Sequence, residues 1–266
     1  MENAAYIGLS RQMTLRRELD IVANNVANAD TTGFKVEQLM VGTEVGQRAR
    51  NDNIRPSASF VLDKGVGRDF GQGALKQTGR DLDFAIDGEG AFFTVQTPGG
   101  AAYTRDGAFV TDPEGRLTTK QGLPVLADGA EIVLDPQRGP ASVAHDGTIS
   151  QEGQPVGRLT VVRFDALSAL QKSGDGLYRN ASNAQPMEAT DAQVRQGMLE
   201  GSNVNTLVEI TNLIEINRAY ERVTKMIENA NDLSRRSVER LGRVSQGRAE
   251  TCARFAPPPP AWPPSS

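Results

Sequence analysis

Residues 21–35 read IVANNVANADTTGFK, and this stretch predicts how the chain begins to fold. Its apolar positions continue an upstream series. The full series, Leu15, Leu19, Val22, Val26 and Ala29, is spaced by 4, 3, 4 and 3 residues. Such spacing predicts a helix with a heptad seam, which continues weakly through Gln12, Gly8 and Ala5. Gly33 is the predicted stop, since glycine tolerates a left-handed backbone.

A second helix is predicted over residues 206–244, where the same pattern returns. Its seam residues are Leu213, Ile216, Tyr220, Val223, Ile227 and Ala230, spaced by 3, 4, 3, 4 and 3 residues. The stretch Thr206-Leu-Val-Glu209 has the form of a capping box, with Asn205 just before it. Neither helix is expected to be stable alone in water, so the two are predicted to pair along their seams.

The middle of the chain has the spacing of strands and turns. Leu82, Phe84 and Ile86 alternate with acidic or small residues, which predicts a half-buried strand. Asp-Gly steps at 87–88, 106–107, 128–129 and 146–147 separate apolar runs and predict hairpin turns.

These patterns predict an α+β fold in which N- and C-terminal helices pair as a coiled-coil-like tube domain that carries an inserted antiparallel all-β domain. The predicted helical domain is discontinuous, covering residues 1–35 and 204–245. Residues 36–59 are an extended connector, and residues 60–203 are the β-rich domain with its linker back to the second helix. Residues 246–266 contain four consecutive prolines and are predicted to be a disordered tail.

Composition excludes several classes of function. The formal charge of −4 includes no basic stripe, so no nucleic-acid partner is expected. One cysteine and one histidine are too few for metal sites built on those ligands, and no metal or other cofactor is predicted. No apolar run has the length of a membrane span, so no direct membrane insertion is expected. The first twenty residues lack the layout of a cleaved signal peptide.

No catalytic motif is apparent, and no catalytic residue is predicted. His145 precedes Asp146 in an Asp-Gly turn, which is typical of a surface loop. Asp81, Asp83, Asp87 and Glu89 resemble a glycosidase carboxylate set only loosely, and their alternation favours the solvated face of a strand.

The asparagines of the first helix are its most unusual feature. Three asparagines in place of alanine cost about 2 kcal/mol of helix propensity. On a helical wheel Asn24 and Asn28 lie opposite the apolar seam, and Asn25 lies at its border. Amides offer donors and an acceptor, so Asn24 and Asn28 are predicted to contact a neighbouring subunit. An intramolecular helical hairpin with a decorated surface is the alternative.

Three stretches resemble a known family. ANNVANADTTGFK (23–35) and GSNVN followed by EITNLIEINRAYE (201–221) resemble the terminal motifs of flagellar axial proteins, the rod and hook family. LDFAIDGEGAFFTV with YTRDGAF (82–95 and 103–109) resembles the first β-domain of that family. The length is that of a rod protein rather than a hook protein. The opening residues are more similar to the proximal rod type than to the distal type, which stays open as an alternative.

The resemblance implies a structural subunit of the basal-body rod, not an enzyme. Such subunits are exported through the flagellar type III apparatus without a cleaved signal peptide. They assemble helically, with copies of themselves and other rod proteins, into a hollow periplasmic shaft that transmits torque for motility. The implied assembly residues are Asn24, Asn25, Asn28, Gly33, Phe34, Ser202, Asn203, Asn205, Arg218, Tyr220 and Glu221. Residues 1–35 and 204–245 would be mobile in the monomer and ordered in the assembly.

Two further functions compete with this one. A periplasmic cell-wall hydrolase would act through Asp83 or Glu89. A soluble binding module would use the β-domain, but it gives no reason for heptads at both termini.

Overall fold

The computed structural model describes residues 2–45, 59–182 and 184–254. Two helices, α1 (Glu2–Ala27) and α2 (Thr206–Arg254), flank a series of strands, so the fold is α+β as predicted. A short 3-10 helix spans Leu167–Ala169. The strands are β1 Glu37–Val45, β2 Ser59–Arg68, β3 Leu75–Gln77, β4 Phe84–Asp87, β5 Ala91–Thr97, β6 Gly100–Thr104, β7 Phe109–Thr111, β8 Leu117–Thr119, β9 Leu126–Ala127, β10 Ala130–Glu131, β11 Ser142–Val143, β12 Thr148–Gln151, β13 Gln154–Arg158, β14 Val161–Arg163, β15 Leu170–Lys172, β16 Leu177–Asn180, β17 Met187–Glu188, β18 Gln193–Gln196 and β19 Met198–Glu200.

The chain forms two compact units whose limits differ from the predicted domains. One unit consists of Met1–Arg16, Val41–Asp63 and Ile216–Ser266, and the other of Arg17–Met40 and Lys64–Glu215. The boundary therefore passes through both helices rather than through the loops at their ends. The unit that contains the β-domain also holds the last turns of α1 and the first turns of α2.

In the first unit, the two helices touch each other near the start of α1. A Cβ atom added at Gly8 would lie 2.9 Å from Ile227 Cγ1, so a larger residue there would require the Ile227 side chain to move. One turn further on, Gln12 Nε2 donates a hydrogen bond of 3.2 Å to Thr224 Oγ1. The weak upstream part of the predicted seam thus lies in a contact between the helices, which run antiparallel here.

The second unit is built around an antiparallel sheet of six strands in the order β15-β16-β6-β5-β14-β17. A three-stranded sheet, β11-β12-β13, and the two-stranded pairs β3/β19, β4/β18, β7/β8 and β9/β10 surround it. Phe84, Phe93 and Phe109 are fully buried and stack on one another in the larger core. Phe70, Phe92 and Tyr178 form the centre of a smaller core.

Two predictions about local structure need correction. The predicted half-buried strand is buried on both faces: Ala85 on one face is as inaccessible as Phe84 and Ile86 on the other. One edge of β4 is paired with β18. The predicted connector is a strand over Glu37–Val45 that forms a ladder with β2, while residues 46–58 lie outside the described residues.

The predicted Asp-Gly turns have different roles. Asp128 and Gly129 both have positive φ, at 46° and 84°, as a type I′ turn requires, and they join β9 to β10. Asp146-Gly147 joins β11 to β12. Gly107 instead lies against the Phe84 carbonyl, with no room for a Cβ atom.

Helix α2 is longer than predicted. It continues to Arg254, ten residues past the predicted end at 244, so the assignment of 246–254 to a disordered tail is wrong. The first proline of the tail is Pro257. A proline disfavours the helical conformation of the residue before it, so it does not prevent a helix from continuing to Arg254. Residues 255–266 lie outside the described residues.

Candidate functional site

Asn25 is the centre of the N-terminal motif and is completely enclosed, with 1% of its surface exposed. Its Nδ2 donates to the Glu37 carbonyl at 2.8 Å and to Glu209 Oε2 at 2.9 Å. Its Oδ1 accepts from the Glu37 backbone N–H at 3.0 Å. One amide thus ties α1 to β1 and to the first turns of α2. The predicted position of Asn25 at the border of the apolar seam did not indicate that the side chain would be enclosed, and its role in assembly stays a prediction.

Asn24 and Asn28 are half-buried and bond within the chain. Asn28 Nδ2 donates to the Asn24 carbonyl at 2.9 Å and to Asn24 Oδ1 at 2.7 Å. Thr31 Oγ1 donates to Asn28 Oδ1 at 3.1 Å, and Asn24 Nδ2 reaches Glu37 Oε2 at 3.4 Å. These bonds add to the backbone bonds at the C-terminal end of α1, where the Asn24 carbonyl also accepts from the Asn28 N–H at 3.1 Å. The helix end therefore explains the asparagines without a neighbour, and a contact with a neighbouring subunit stays a prediction.

The start of α2 is capped differently from the prediction. Asn205 is the capping residue, because its Oδ1 accepts from the Val208 N–H at 3.3 Å. The Glu209 side chain does not complete a capping box; it accepts from Asn25 instead. The sequence identified both residues but not the partner of Glu209, which lies 184 positions away.

Gly33 and Phe34 hold the turn after α1 against the β-domain. Gly33 has φ of +67°, and a Cβ atom there would lie 2.5 Å from the Asp106 backbone nitrogen, so no other residue fits. Its N–H donates to the Glu200 carbonyl at 2.9 Å. Phe34 is buried under Lys172, whose Nζ lies 4.6 Å from the ring centroid.

Beyond this turn lies a buried group of three charged side chains, Lys35, Arg105 and Glu200, here called the charge cluster. Lys35 Nζ lies 2.6 Å from Glu200 Oε1, and Arg105 Nε lies 3.1 Å from Glu200 Oε2. At most 1% of any of these side chains is exposed. The contact of Arg105 with Glu200 lacks hydrogen-bond geometry, so it is an electrostatic contact. Burial lowers the pKa of Lys35, while Glu200 opposes that change.

Ser202 and Asn203 connect the end of β19 to the same region. Asn203 Oδ1 accepts from the Val36 N–H at 2.8 Å, and its Nδ2 donates to the Asp69 carbonyl at 2.9 Å. Ser202 Oγ accepts from the Val204 N–H at 3.2 Å and orders the approach to α2. The residues predicted at both termini therefore come together, but as contacts inside the subunit.

Three predicted residues on α2 do not join this network in the described part of the chain. Arg218 and Glu221 are exposed, and Tyr220 is half-buried. Their role in assembly remains a prediction.

The predicted seam is the better covered face of each helix. Leu15, Val22 and Ile216 are at most 9% exposed. The remaining seam residues, Leu19, Val26, Leu213, Tyr220, Val223 and Ile227, are half-buried.

Each helix also has a second apolar face, which the sequence analysis missed. On α1 it consists of Tyr6, Leu9 and Met13, which are 63%, 50% and 67% exposed. On α2 it consists of Leu207, Ile210 and Ile214, which are 76%, 43% and 46% exposed. These two faces are here called the outer stripes. Their spacing of 3 and 4 residues was visible in the sequence, but the stronger heptad seam was the only face considered.

The outer stripes are a candidate interaction surface. Exposed side chains of this size, aligned along one helix face, are typical of surfaces that a partner covers. Each lies well over 90° around its helix from the seam, at 100° per residue. Each helix can therefore contact two different neighbours.

The carboxylates considered for catalysis are not placed for it. Asp83 is fully buried rather than solvated, and both of its oxygens lack a hydrogen-bond partner among the described residues. The nearest cation, Arg80 Nε, lies 3.8 Å away. Glu89 is exposed, and His145 lies on a surface loop as predicted. Among the described residues, no three His, Cys, Asp or Glu side chains are grouped to hold a metal ion, and no helix is long and apolar enough to cross a membrane.

Three family models match parts of the chain. The flagella basal body rod protein model matches residues 6–35, and the flagellar hook protein FlgE/F/G D1 domain model matches residues 85–151. The flagellar basal body rod FlgEFG protein C-terminal model matches residues 195–240. The matches cover α1, the β-domain and α2 in that order.

Full-length relatives agree with these matches. The chain is 57% identical to the flagellar basal-body rod protein FlgF of Caulobacter vibrioides over 92% of its own length and 100% of that protein. It is 36% identical to FlgF of Mesorhizobium japonicum, again over 92% and 100%. FlgG of Buchnera aphidicola is 35% identical, over 81% of this chain and 90% of that protein.

Paired terminal motifs, an antiparallel β-domain and exposed apolar faces define a structural subunit of an assembly, without the arrangement of an enzyme. The chain belongs to the flagellar basal-body rod proteins, and within them to the FlgF type. The proximal-type prediction is thereby confirmed, and the FlgG alternative has weaker support. The hydrolase alternative is not supported, because the relatives are structural rod proteins.

Proposed function

We propose that this rod subunit assembles helically, with copies of itself and with other rod proteins, into a hollow shaft that transmits torque for motility. In this shaft, α1 and α2 pair along their seams as a coiled-coil-like inner tube, and the β-domain faces outward. The subunit reaches the periplasm through the flagellar type III export apparatus without a cleaved signal peptide.

The observation that carries this proposal is the exposure of the outer stripes. Burying a large apolar side chain stabilises an interface by about 1.5–3 kcal/mol relative to leaving it in water. Six such side chains on two helices are enough to drive association once the helices are ordered. The seam cannot replace them, because its residues are already buried or half-buried within one subunit.

The test is to place a charge in each outer stripe. Met13→Glu and Ile214→Glu should each abolish motility and remove the chain from isolated basal bodies, because a carboxylate cannot be buried in an apolar interface without a partner. Circular dichroism of the purified variants should show an unchanged fold, and their export should be normal.

A matched control is Val133→Glu, which changes a side chain that is 53% exposed on the β-domain. This variant should retain motility. Normal motility in both stripe variants would overturn the proposed interface.

A further inference from the structure

The charge cluster brings together three segments that are far apart in the sequence. Lys35 follows the turn after α1, Arg105 lies in the loop between β6 and β7, and Glu200 is the last residue of β19. Glu200 is 165 positions away from Lys35. Its carboxylate is the shared element, because it contacts both cations and also accepts from the Gly73 N–H at 2.8 Å.

The cluster has one more positive charge than negative charge, and it is sealed from water. If Glu200 were absent, Lys35 and Arg105 would be two buried cations facing one another. Burial is the main cause of the lowered pKa of Lys35; Glu200 opposes it, Arg105 lowers the pKa further, and Asp69 raises it slightly. Removing one member of a buried ion pair is strongly destabilising because it leaves an uncompensated charge. The segment from Asn28 to Glu37 is here called the N-terminal arm. We therefore expect that it does not dock on the β-domain without Glu200.

We propose that the charge cluster is an electrostatic latch that makes docking of the N-terminal arm depend on prior or simultaneous docking of β19 and the start of α2. Backbone contacts strengthen the dependence. Gly33 donates to the Glu200 carbonyl, and Val36 donates to Asn203 Oδ1, so the arm bonds directly to the segment that supplies the carboxylate.

The latch has a consequence for the order in which the chain folds. The end of α1 can become fixed only together with the start of α2. In a chain that lacks the C-terminal segment, Lys35 and Arg105 repel each other and the N-terminal arm does not dock. A chain that is still emerging therefore keeps its N-terminal arm undocked. This inference does not depend on the proposed interface, because it concerns the isolated subunit.

The test is hydrogen exchange on the full-length purified monomer. Glu200→Gln keeps the shape of the side chain but removes its charge. Exchange at the amides of Gly33, Val36 and Glu37 should rise by about a hundredfold, whereas amides in the β5–β6 ladder should change little. The amide of Gly201, which donates to the Ala74 carbonyl, should stay protected, because the latch makes the arm depend on β19 and not the reverse.

A second variant distinguishes repulsion between Lys35 and Arg105 from the simple loss of the contacts that Glu200 makes. Adding Lys35→Met to Glu200→Gln removes one of the two cations, so protection of the arm should be largely restored. A purely structural role predicts the opposite, because each substitution would remove contacts and the effects would add.

Asp87→Asn is the matched control, since it removes the carboxylate of the half-exposed pair with Arg195. Exchange in the arm should stay at the wild-type level in this variant. The latch is overturned if Glu200→Gln leaves the arm protected, or if Lys35→Met fails to restore protection. Should Glu200→Gln fail to fold, recovery of the fold in the double variant supports the latch, and an unfolded double variant contradicts it.

Discussion

Asn25 is the residue where α1, β1 and α2 meet. Within the N-terminal motif it is the position whose substitution is expected to disturb the most hydrogen bonds. Its three hydrogen bonds leave neither its donor nor its acceptor unused. Substitution by an apolar residue would strand the Glu37 backbone groups and the Glu209 carboxylate without partners. A buried polar group that loses its partner costs about 1–3 kcal/mol, and more when it is charged.

We therefore expect Asn25→Ala to lower the free energy of unfolding by roughly 3 kcal/mol, as measured by urea denaturation. Asn24→Ala is the natural comparison, because Asn24 is half-buried and its bond to Glu37 is long at 3.4 Å. Its effect should be below about 1 kcal/mol. Equal losses of unfolding free energy at the two positions would show that burial of the Asn25 amide does not determine its contribution to stability.

Tyr178 gives a prediction about alkaline pH. The side chain is 2% exposed and packs edge-on against Phe70 and Phe92. Burial raises the pKa of its phenol from 10.0 to about 12. Below pH 10 the phenol is protonated in both states, and its contribution to stability is fully present. Between pH 10 and 12 only the unfolded chain releases the proton, so stability is lost as pH rises.

Over that range the free energy of unfolding should fall by about 1.4 kcal/mol per pH unit more in the wild type than in Tyr178→Phe. Denaturant unfolding of both proteins at pH 9, 10, 11 and 12 measures the difference. Parallel curves for the two proteins would mean that Tyr178 ionises freely in the folded state.

At the residue scale, the sequence indicated which residues make specific contacts better than it indicated the residues that they bond to. Asn25, Gly33, Asn203 and Asn205 were named from the sequence as assembly residues, and the structure places each of them in a specific contact within the chain. Their role in assembly stays a prediction. Their partners lie far away in the sequence, and nothing local encodes a bond such as that from Asn25 to Glu209. The charge cluster was missed for the same reason, since a lysine, an arginine and a glutamate are ordinary residues until the fold buries them together.

At the scale of the elements, the helices are not equally supported along their length. The end of α1 and the start of α2 belong to the unit that contains the β-domain, and Ile21, Val22 and Asn25 are buried there. Near the start of α2, Glu209 and Ile216 are buried. From residue 217 to residue 233 no described side chain of α2 is buried, and Met226 and Leu233 are 52% and 58% exposed. A long helix with little burial frays readily in water.

Hydrogen exchange on a verified monomer should therefore show a gradient along α2. Amides at 210–216 should be at least about tenfold better protected than amides at 228–236. This sharpens the expectation that both termini are mobile in the monomer, because only the parts far from the β-domain should exchange rapidly. Uniform protection along the whole helix would contradict it.

Periodicity predicted the helices and their seams, because the heptad spacing spans many turns. It failed where tertiary pairing overrides local pattern. The pattern of strand β4 predicts one buried face, but Asp83 and Ala85 on the other face are buried as well, which depends on tertiary packing that the local pattern does not encode. The end of α2 was placed too early because the change of composition near residue 245 was taken as the boundary, although the first proline of the tail is Pro257.

At the scale of the whole molecule, the subunit combines a rigid β-domain with helices that keep a second apolar face free. The β-domain supplies its own core, whereas the outer stripes gain burial only from a partner. This division fits a rod protein, whose folded domain must survive alone and whose helices must associate. The terminal motifs fix the helix ends within one subunit, and in the proposed assembly the outer stripes are left for the next subunit.

The most direct measurement is a density map of isolated basal bodies at a resolution that shows side chains of this chain in the rod. The account predicts that Leu9, Met13, Ile210 and Ile214 are covered by helices of neighbouring subunits, while Asn25 keeps its bonds to Glu37 and Glu209. An assembled subunit in which the outer stripes face solvent, with all its contacts made through the β-domain, would contradict the account.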